Sequence, residues 1–162
     1  MKKLRLLVTK ECNRKCNGCC NKDWDLDNLP VCTDYSLYDE IIITGGEPTL
    51  RNDLVFIITE IKKVNPTAKI LMYTANCKYS VFLSALVMLY LDGITVTLHT
   101  KRDLRSFVEF ETGLPKNNKS LRLNVFKGVP VPALKHNWIV KSNITWIKNC
   151  PLPEDEVFMR YE

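Results

Sequence analysis

The sequence predicts an α/β fold, an incomplete (β/α) barrel of about five to six mostly parallel strands with outer helices and an irregular C-terminal segment. Short apolar strands alternate with helical segments four times before a fifth strand, which is typical of parallel strands joined by right-handed crossovers. The chain has 162 residues, whereas a closed eight-stranded barrel typically takes about 250. We expect a single domain over residues 1–162, with its core at 4–126 and an extension at 127–162.

The first two predicted strands are separated by a cysteine-rich segment. Residues 4–9 are a short apolar run, which predicts a buried strand. Residues 21–38 are polar and aromatic with weak periodicity, and part of them could be helix. Residues 39–44 contain three consecutive isoleucines. Because this run does not alternate, it indicates a parallel strand that is buried on both faces.

The middle of the chain continues the alternation. Apolar side chains in residues 53–64 recur at i, i+3, i+4 and i+7, which predicts a helix, and Asn65 with Pro66 ends it. Residues 69–74 are the third predicted strand. Residues 80–91 are apolar nearly all round, so we expect a well-covered helix there.

The fourth and fifth predicted strands carry polar side chains on one face. Residues 93–99 alternate cleanly, with two threonines and His99 on the polar face. A short helix is expected at 104–110. Residues 121–126 are the fifth strand, with Asn124 on its polar face. Ligands in such folds bind at the C-terminal ends of the strands, so these side chains are candidates for a site.

The regular pattern ends after the fifth strand. Residues 127–137 contain one glycine and two prolines and cannot form a long helix. Residues 138–141 and 144–148 predict two strands, either a hairpin or a sixth strand with an edge partner. Residues 151–156 are expected to be a loop.

Composition narrows the functional classes. Hydrophobic residues make up 46% and charged residues 25%, which is ordinary for a globular domain. The longest apolar run, residues 81–91, falls short of the ~20 residues that cross a bilayer, and the N-terminus is too short and too polar for a signal peptide. The net charge of +5 is scattered rather than clustered beside stacking aromatics. We therefore expect no membrane and no nucleic acid as partner, and the cytoplasm as location.

The cysteine segment carries the strongest chemical signal. Cys12, Cys16 and Cys19 form a C-x3-C-x2-C triplet, and thiolates are the ligands that zinc and iron–sulfur clusters select. A four-iron cubane normally takes four cysteines. Three would leave one iron open to a substrate, as in open catalytic metal sites. Basic residues surround the triplet, and positive charge lowers thiol pKa values.

Two other uses of the cysteines stay open. The triplet with either Cys20 or Cys32 could close a tetrahedral structural zinc site. A disulfide scaffold is the other alternative, although seven cysteines is an odd number. Cys20 is expected to lie beside the cluster without binding it. Cys77 and Cys150, like Cys32, are expected as single core or semi-buried residues.

A second motif, the GGEP turn, follows the second strand and consists of Gly45, Gly46, Glu47 and Pro48. The two glycines suit a tight turn with close backbone approach, because neither has a Cβ. With the cysteine triplet after the first strand and GGEP ending the second, the chain resembles the radical S-adenosylmethionine (radical SAM) enzymes. The resemblance covers about residues 4–126.

The resemblance implies a [4Fe–4S] cluster on the triplet, whose open iron binds S-adenosylmethionine. An electron donor of the flavodoxin or ferredoxin type would then drive cleavage to a 5′-deoxyadenosyl radical, which abstracts hydrogen from a substrate. It implies no catalytic residue beyond the cluster and cofactor, and it makes Glu47 the acceptor for the ammonium group of S-adenosylmethionine. The metal ligands implied are Cys12, Cys16 and Cys19. The cofactor-binding candidates are Gly45, Gly46, Glu47, Pro48, Thr74, Asn76, Thr97, His99 and Asn124. For the last five, a polar residue satisfied inside the barrel is the alternative.

The substrate stays open at the sequence level. The run from Gly18 to Asn21 resembles the small activases that install glycyl radicals, especially the activase of anaerobic ribonucleotide reductase, and so favours a glycyl-radical enzyme as protein substrate. GGEP is instead common in small-molecule and nucleoside-forming members such as 7-carboxy-7-deazaguanine synthase. The open side of a short barrel must be covered by a partner, a homodimer or residues 127–162. A non-enzymatic interaction domain stabilised by zinc or a cluster is a further alternative.

Overall fold

The computed structural model describes all 162 residues and divides into two compact units. The first unit comprises Met1–Ile70 and Trp146–Glu162, and the second comprises Leu71–Thr145. The strands are β1 (Lys3–Leu7), β2 (Glu40–Thr44), β3 (Lys69–Thr74), β4 (Gly93–Leu98), β5 (Ser120–Phe126), β6 (Trp138–Ile144) and β7 (Glu156–Arg160). The helices are α1 (Leu54–Val64), α2 (Ser80–Tyr90) and α3 (Asp103–Gly113).

The first unit is built around β1. This strand pairs in parallel with β2 on one side and with β7 on the other. Leu4 and Leu6 of β1 are fully buried, and the three consecutive isoleucines 41–43 of β2 are all buried, as predicted for a strand covered on both faces. Leu7 pairs with Thr44, so β1 and β2 end side by side. The segments that follow them therefore leave the strands from the same edge.

Helix α1 covers this core as its periodicity predicts. Its buried residues, Leu54, Ile57, Ile58 and Ile61, recur at the helical spacing. The helix ends at Asn65, whose side chain donates to the carbonyl oxygens of Tyr35 and Tyr38 at 3.0 and 2.8 Å. A buried amide needs such partners, so Asn65 fixes the connection that precedes β2.

The second unit contains β4, β5, β6 and most of β3, paired in parallel in the order β6-β5-β4-β3. Its strands alternate as predicted: Ile94, Val96 and Leu98 of β4 are buried, and the threonines between them point to the opposite face. None of the chain's helices has the length and apolar composition needed to cross a bilayer.

Seven parallel strands and three helices confirm the predicted class, an incomplete α/β barrel, although the strands outnumber the five to six expected. The prediction of a single domain stays a prediction. The additional strand is β7, which follows the predicted loop: residues 151–155 form that loop, and the strand begins at Glu156. Glu156–Arg160 pairs with β1 through its main chain, and such pairing needs no apolar periodicity in the strand itself.

The predicted hairpin at residues 138–148 is wrong, and the alternative of a sixth strand is confirmed. Trp138–Ile144 is one continuous strand that runs parallel to β5. Asn143 has a φ of 57°, and the register with β5 shifts between Asn124 and Phe126. The turn-forming residue is therefore accommodated as an irregularity within a strand.

Candidate functional site

The cysteine triplet lies in the segment that leaves the C-terminal end of β1. Cys12 is exposed, while Cys16 and Cys19 are half-buried, and none of the three is in a disulfide. The amide of Cys19 donates to the carbonyl oxygen of Cys16 at 3.3 Å. The loop therefore carries three thiols that form no disulfide, all within residues 12–19.

The electrostatics of the triplet differ in part from the expectation. Burial raises the pKa of the Cys16 thiol above its ordinary value, Cys19 and Cys12 raise it further, and Arg14 lowers it only in part. The flanking positive charge of Arg14 and Lys22 lowers the pKa of Cys16 as predicted, but burial and the two neighbouring cysteines outweigh it, so the pKa of this thiol is raised.

The donor set of the triplet, three thiols that form no disulfide, has the chemistry that an iron–sulfur cluster takes. No group of three or more His, Cys, Asp or Glu side chains is gathered closely enough to hold one metal ion. A tetrahedral zinc site needs its thiolates converged at about 2.3 Å from one centre. A cubane takes each cysteine on a different iron, which suits three neighbouring but separate thiols. Cys12, Cys16 and Cys19 would hold such a cluster.

The two glycines of the GGEP turn are packed against the segment that leads into the triplet. A Cβ on Gly46 would lie 2.2 Å from the carbonyl oxygen of Glu11, and one on Gly45 would lie 2.7 Å from the carbonyl oxygen of Thr9. Both obstacles are backbone atoms, which cannot move aside as a side chain can. The predicted close backbone approach is therefore confirmed, and its partner is the start of the cysteine segment.

Main-chain hydrogen bonds fasten the same contact. The amide of Gly46 donates to the Thr9 carbonyl at 2.8 Å, and the amide of Glu47 donates to the Glu11 carbonyl at 2.7 Å. The guanidinium of Arg51 also donates to the carbonyl of Val8. The GGEP turn thus continues the pairing of β1 and β2 beyond their ends and positions the cysteine segment.

Glu47 is buried, with 2% of its surface exposed. Its Oε1 accepts the amide of Thr49 at 3.1 Å and the Thr49 hydroxyl at 2.8 Å. The carboxylate thus caps the short 3-10 helix Pro48–Leu50. Caps of this kind hold a side chain in one orientation, and the predicted role toward an ammonium group stays a prediction.

The region just after the triplet is tied to two other parts of the first unit. Asn21 donates from Nδ2 to the carbonyl of Gly45 at 2.9 Å. Trp146 packs on Gly18 so closely that a Cβ there would lie 2.3 Å from its Cγ. Gly18 is thus required by contact with an aromatic ring from the C-terminal segment.

Cys20 and Cys150 form a disulfide, with 5.3 Å between their Cα atoms. The expectation that Cys20 only adjoins the cluster and that Cys150 is a single core residue is corrected by this bond. The pairing joins positions 130 residues apart, a proximity that arises from the tertiary fold. Cys32 and Cys77 are buried and form no disulfide, as expected.

In the second unit, the predicted residues Thr97 and Asn124 line one cavity of about 460 Å³. Five further residues complete its wall: Tyr73, Thr95, Arg122, Ile139 and Lys141. The strands bring them together because Thr97 pairs with Asn124, and Asn124 pairs with Lys141. Lys141 was missed because residues 138–141 were predicted as a strand of either a hairpin or a sixth strand, without the register that puts Lys141 beside Asn124.

The other three predicted residues of this unit shape turns. The Thr74 hydroxyl accepts the amide of Asn76 at 3.0 Å, and both residues are buried. His99 stacks on Phe126 with ring centroids 4.7 Å apart. None of Thr74, Asn76 and His99 is among the residues that line the cavity. Their proposed roles toward a cofactor stay predictions.

A buried polar cluster was missed by the sequence reasoning. Glu111 is 2% exposed, and its Oε1 accepts from the amides of Lys135 and His136, the His136 ring and the Trp138 indole at 2.8 to 3.3 Å. Burial raises the pKa of Glu111, but these hydrogen bonds outweigh it, so the pKa lies below its ordinary value. The cluster anchors the irregular segment before β6 to α3.

Comparisons with known proteins agree with the motifs. No protein-family model matches the chain. A probable GTP 3′,8-cyclase of Methanococcus aeolicus is 31% identical over 158 residues, which cover 88% of this chain and 52% of that protein. A GTP 3′,8-cyclase of Aquifex aeolicus is 29% identical over 171 residues, with 97% and 51% covered. The chain spans about half the length of these curated relatives.

Proposed function

We propose that this chain, whose membership of the radical SAM superfamily the two matches support, reductively cleaves S-adenosylmethionine and abstracts hydrogen from a substrate. When bound, a [4Fe–4S] cluster and S-adenosylmethionine would supply the electron transfer and the radical. The protein's task is to hold the cluster, orient the cofactor and keep water away. We also propose that the protein works in the cytoplasm and that an electron donor of the flavodoxin or ferredoxin type reduces the cluster.

The observation that carries the proposal is the contact between the two motifs. Gly45 and Gly46 lie against the backbone of residues 9–11, immediately before Cys12. Paired strands bring the two following segments to one edge in any sequence, but only residues without a Cβ at positions 45 and 46 let the two backbones touch as they do here. Here two main-chain hydrogen bonds join them, which supports one composite site for a cluster and its ligand.

Within this site we assign Glu47 the role of receiving the ammonium group of S-adenosylmethionine. Its carboxylate is fixed by Thr49, so little conformational freedom would be lost on binding. A charge-assisted hydrogen bond to an ammonium is stronger than a neutral one. Glu47→Gln keeps the shape of the side chain and removes its charge. It should weaken cofactor binding and leave the cluster in place.

Anaerobic reconstitution tests the proposal. The reduced protein should carry about four irons, show a cubane electron paramagnetic resonance signal and release 5′-deoxyadenosine from S-adenosylmethionine. Replacing Cys12, Cys16 or Cys19 by alanine should abolish all three. Cys77→Ala is the matched control, because Cys77 likewise forms no disulfide but lies outside the triplet. Zinc that neither reductant nor iron displaces, or no 5′-deoxyadenosine from the intact protein, would contradict the proposal.

For the substrate, we propose a small molecule over a glycyl-radical enzyme. The activase hypothesis depended on the run from Gly18 to Asn21. Gly18 is required by Trp146, and Asn21 holds the carbonyl of Gly45, so both residues have local structural reasons. The two relatives are named for a reaction of GTP, a small molecule. Turnover of a small substrate without a partner protein supports this choice; dependence on a glycyl-radical protein would reverse it.

A further inference from the structure

We infer that the cavity of the second unit binds a small molecule through a phosphate or carboxylate group of that molecule. This assignment rests on the proposed function, under which the bound molecule is the substrate that loses a hydrogen atom. Oxyanion binding itself depends only on the residues of the cavity, so it can be tested without cluster or cofactor.

The strand register places the lining side chains in two rows on one face. Thr95 of β4 pairs with Arg122 of β5, which pairs with Ile139 of β6. Two residues further along, Thr97, Asn124 and Lys141 pair in the same way. Because side chains alternate along a strand, residues two apart share a face. The sheet itself therefore holds the site in place.

The charge of the cavity has one sign. Arg122 and Lys141 are its only charged lining residues, and neither side chain takes part in an ion pair or hydrogen bond with the rest of the chain. Arg122 of β5 and Lys141 of β6 are diagonal neighbours, because Lys141 lies two residues beyond Ile139, which is opposite Arg122. Standard strand spacings place their backbones about 8 Å apart. Two long cationic side chains at this separation can reach a single oxyanion or two adjoining ones.

The other residues that line the cavity can contact the part of a small molecule that carries no negative charge. Thr95, Thr97 and Asn124 offer hydroxyl and amide groups, while Tyr73 and Ile139 offer apolar surface. The volume of about 460 Å³ lies within the usual range for small-ligand pockets. A cleft with cations and no carboxylate concentrates anions from solution. The combination favours a compact anionic ligand over a neutral one.

Titration calorimetry on the full chain, without cluster or S-adenosylmethionine, tests the inference with inorganic tripolyphosphate and with citrate as probes. At least one probe should bind one to one, more weakly as salt rises. The tighter probe identifies phosphate or carboxylate as the group. Arg122→Gln and Lys141→Gln should each weaken that probe by about tenfold or more, the usual loss for a charged hydrogen bond.

Arg102→Gln and Lys116→Gln are the matched controls, because both cations are exposed in the same unit and lie outside the cavity. They should change affinity less than about twofold. Binding of neither probe, or equal weakening by controls and cavity variants, overturns the inference. These outcomes are independent of 5′-deoxyadenosine formation: anion binding without cofactor cleavage contradicts only the proposed function, and cleavage without anion binding contradicts only this inference.

Discussion

Replacing Gly46 by alanine should damage the first unit at the point where its two motifs touch. The added Cβ would lie 2.2 Å from the Glu11 oxygen and 2.6 Å from both the Glu11 carbon and the Lys10 oxygen. All three are backbone atoms, so the backbone of residues 10–11 must move away from the GGEP turn. Overpacking of this kind costs about 1–3 kcal/mol, and the two main-chain hydrogen bonds beside it are worth about 1 kcal/mol each. We expect a loss of about 3 kcal/mol in the free energy of unfolding.

Urea unfolding followed by circular dichroism measures this loss. With a slope of about 2 kcal/mol/M, the midpoint should fall by about 1.5 M. Gly113→Ala is the control, because nothing lies within 4 Å of a Cβ at this helical position. Alanine there should raise stability by about 0.5 kcal/mol. Iron bound after reconstitution should fall in Gly46→Ala and not in Gly113→Ala. A Gly46→Ala midpoint equal to that of the wild type would refute the close-approach explanation.

Three further predictions concern other fixed points of the fold. Glu111→Gln should lower the free energy of unfolding by about 1–3 kcal/mol at neutral pH. The folded pKa of Glu111 lies below the usual 4.5, so the stabilisation by its carboxylate is complete above pH 4.5 and is lost as the pH falls through the folded pKa. The difference between the urea midpoints of wild type and variant must therefore become smaller in acid. Asn65→Ala should lower the unfolding free energy by about 2 kcal/mol, because it removes the donor to the carbonyls of Tyr35 and Tyr38 and the acceptor of the Ala68 amide; an unchanged midpoint would contradict this. Cys150→Ser should lower the urea midpoint by an amount equivalent to about 2–4 kcal/mol without reductant and match the wild type in dithiothreitol; a difference that persists in dithiothreitol would show that the thiol matters beyond its bond to Cys20.

The core elements were predictable because each carries its own periodic signal. Helix α1 shows its buried face in the spacing of four apolar residues, and β4 shows its two faces by strict alternation. Strand β7 has no such signal, because residues 156–160 alternate poorly and become a strand only by pairing with β1. Sequence order cannot reveal that pairing, since it joins opposite ends of the chain.

The candidate site divides in the same way. The cysteine triplet and the GGEP turn are local motifs, and the sequence places them at strand ends, where the structure has them. The partners of Gly18 and Cys20 are Trp146 and Cys150, which only the tertiary fold brings near. Glu111 could have been found, because a carboxylate four positions after Phe107, with Phe110 at i+3, falls on the apolar face of its helix.

The pairing of β1 with β7 sets an order of events during biosynthesis. Strand β1 is translated first and β7 about 150 residues later, which at about 5–20 residues per second takes roughly 10–30 s. Throughout that interval the thiols of Cys12, Cys16 and Cys19 have emerged, while Cys150 is still missing for Cys20. The segment that would hold the cluster thus follows a strand, β1, that lacks its neighbour β7 until residues 156–160 have been synthesised. Iron delivered before β7 is made would meet a segment that lacks this neighbouring strand, and oxidation of the four neighbouring thiols, Cys12, Cys16, Cys19 and Cys20, would compete with its binding.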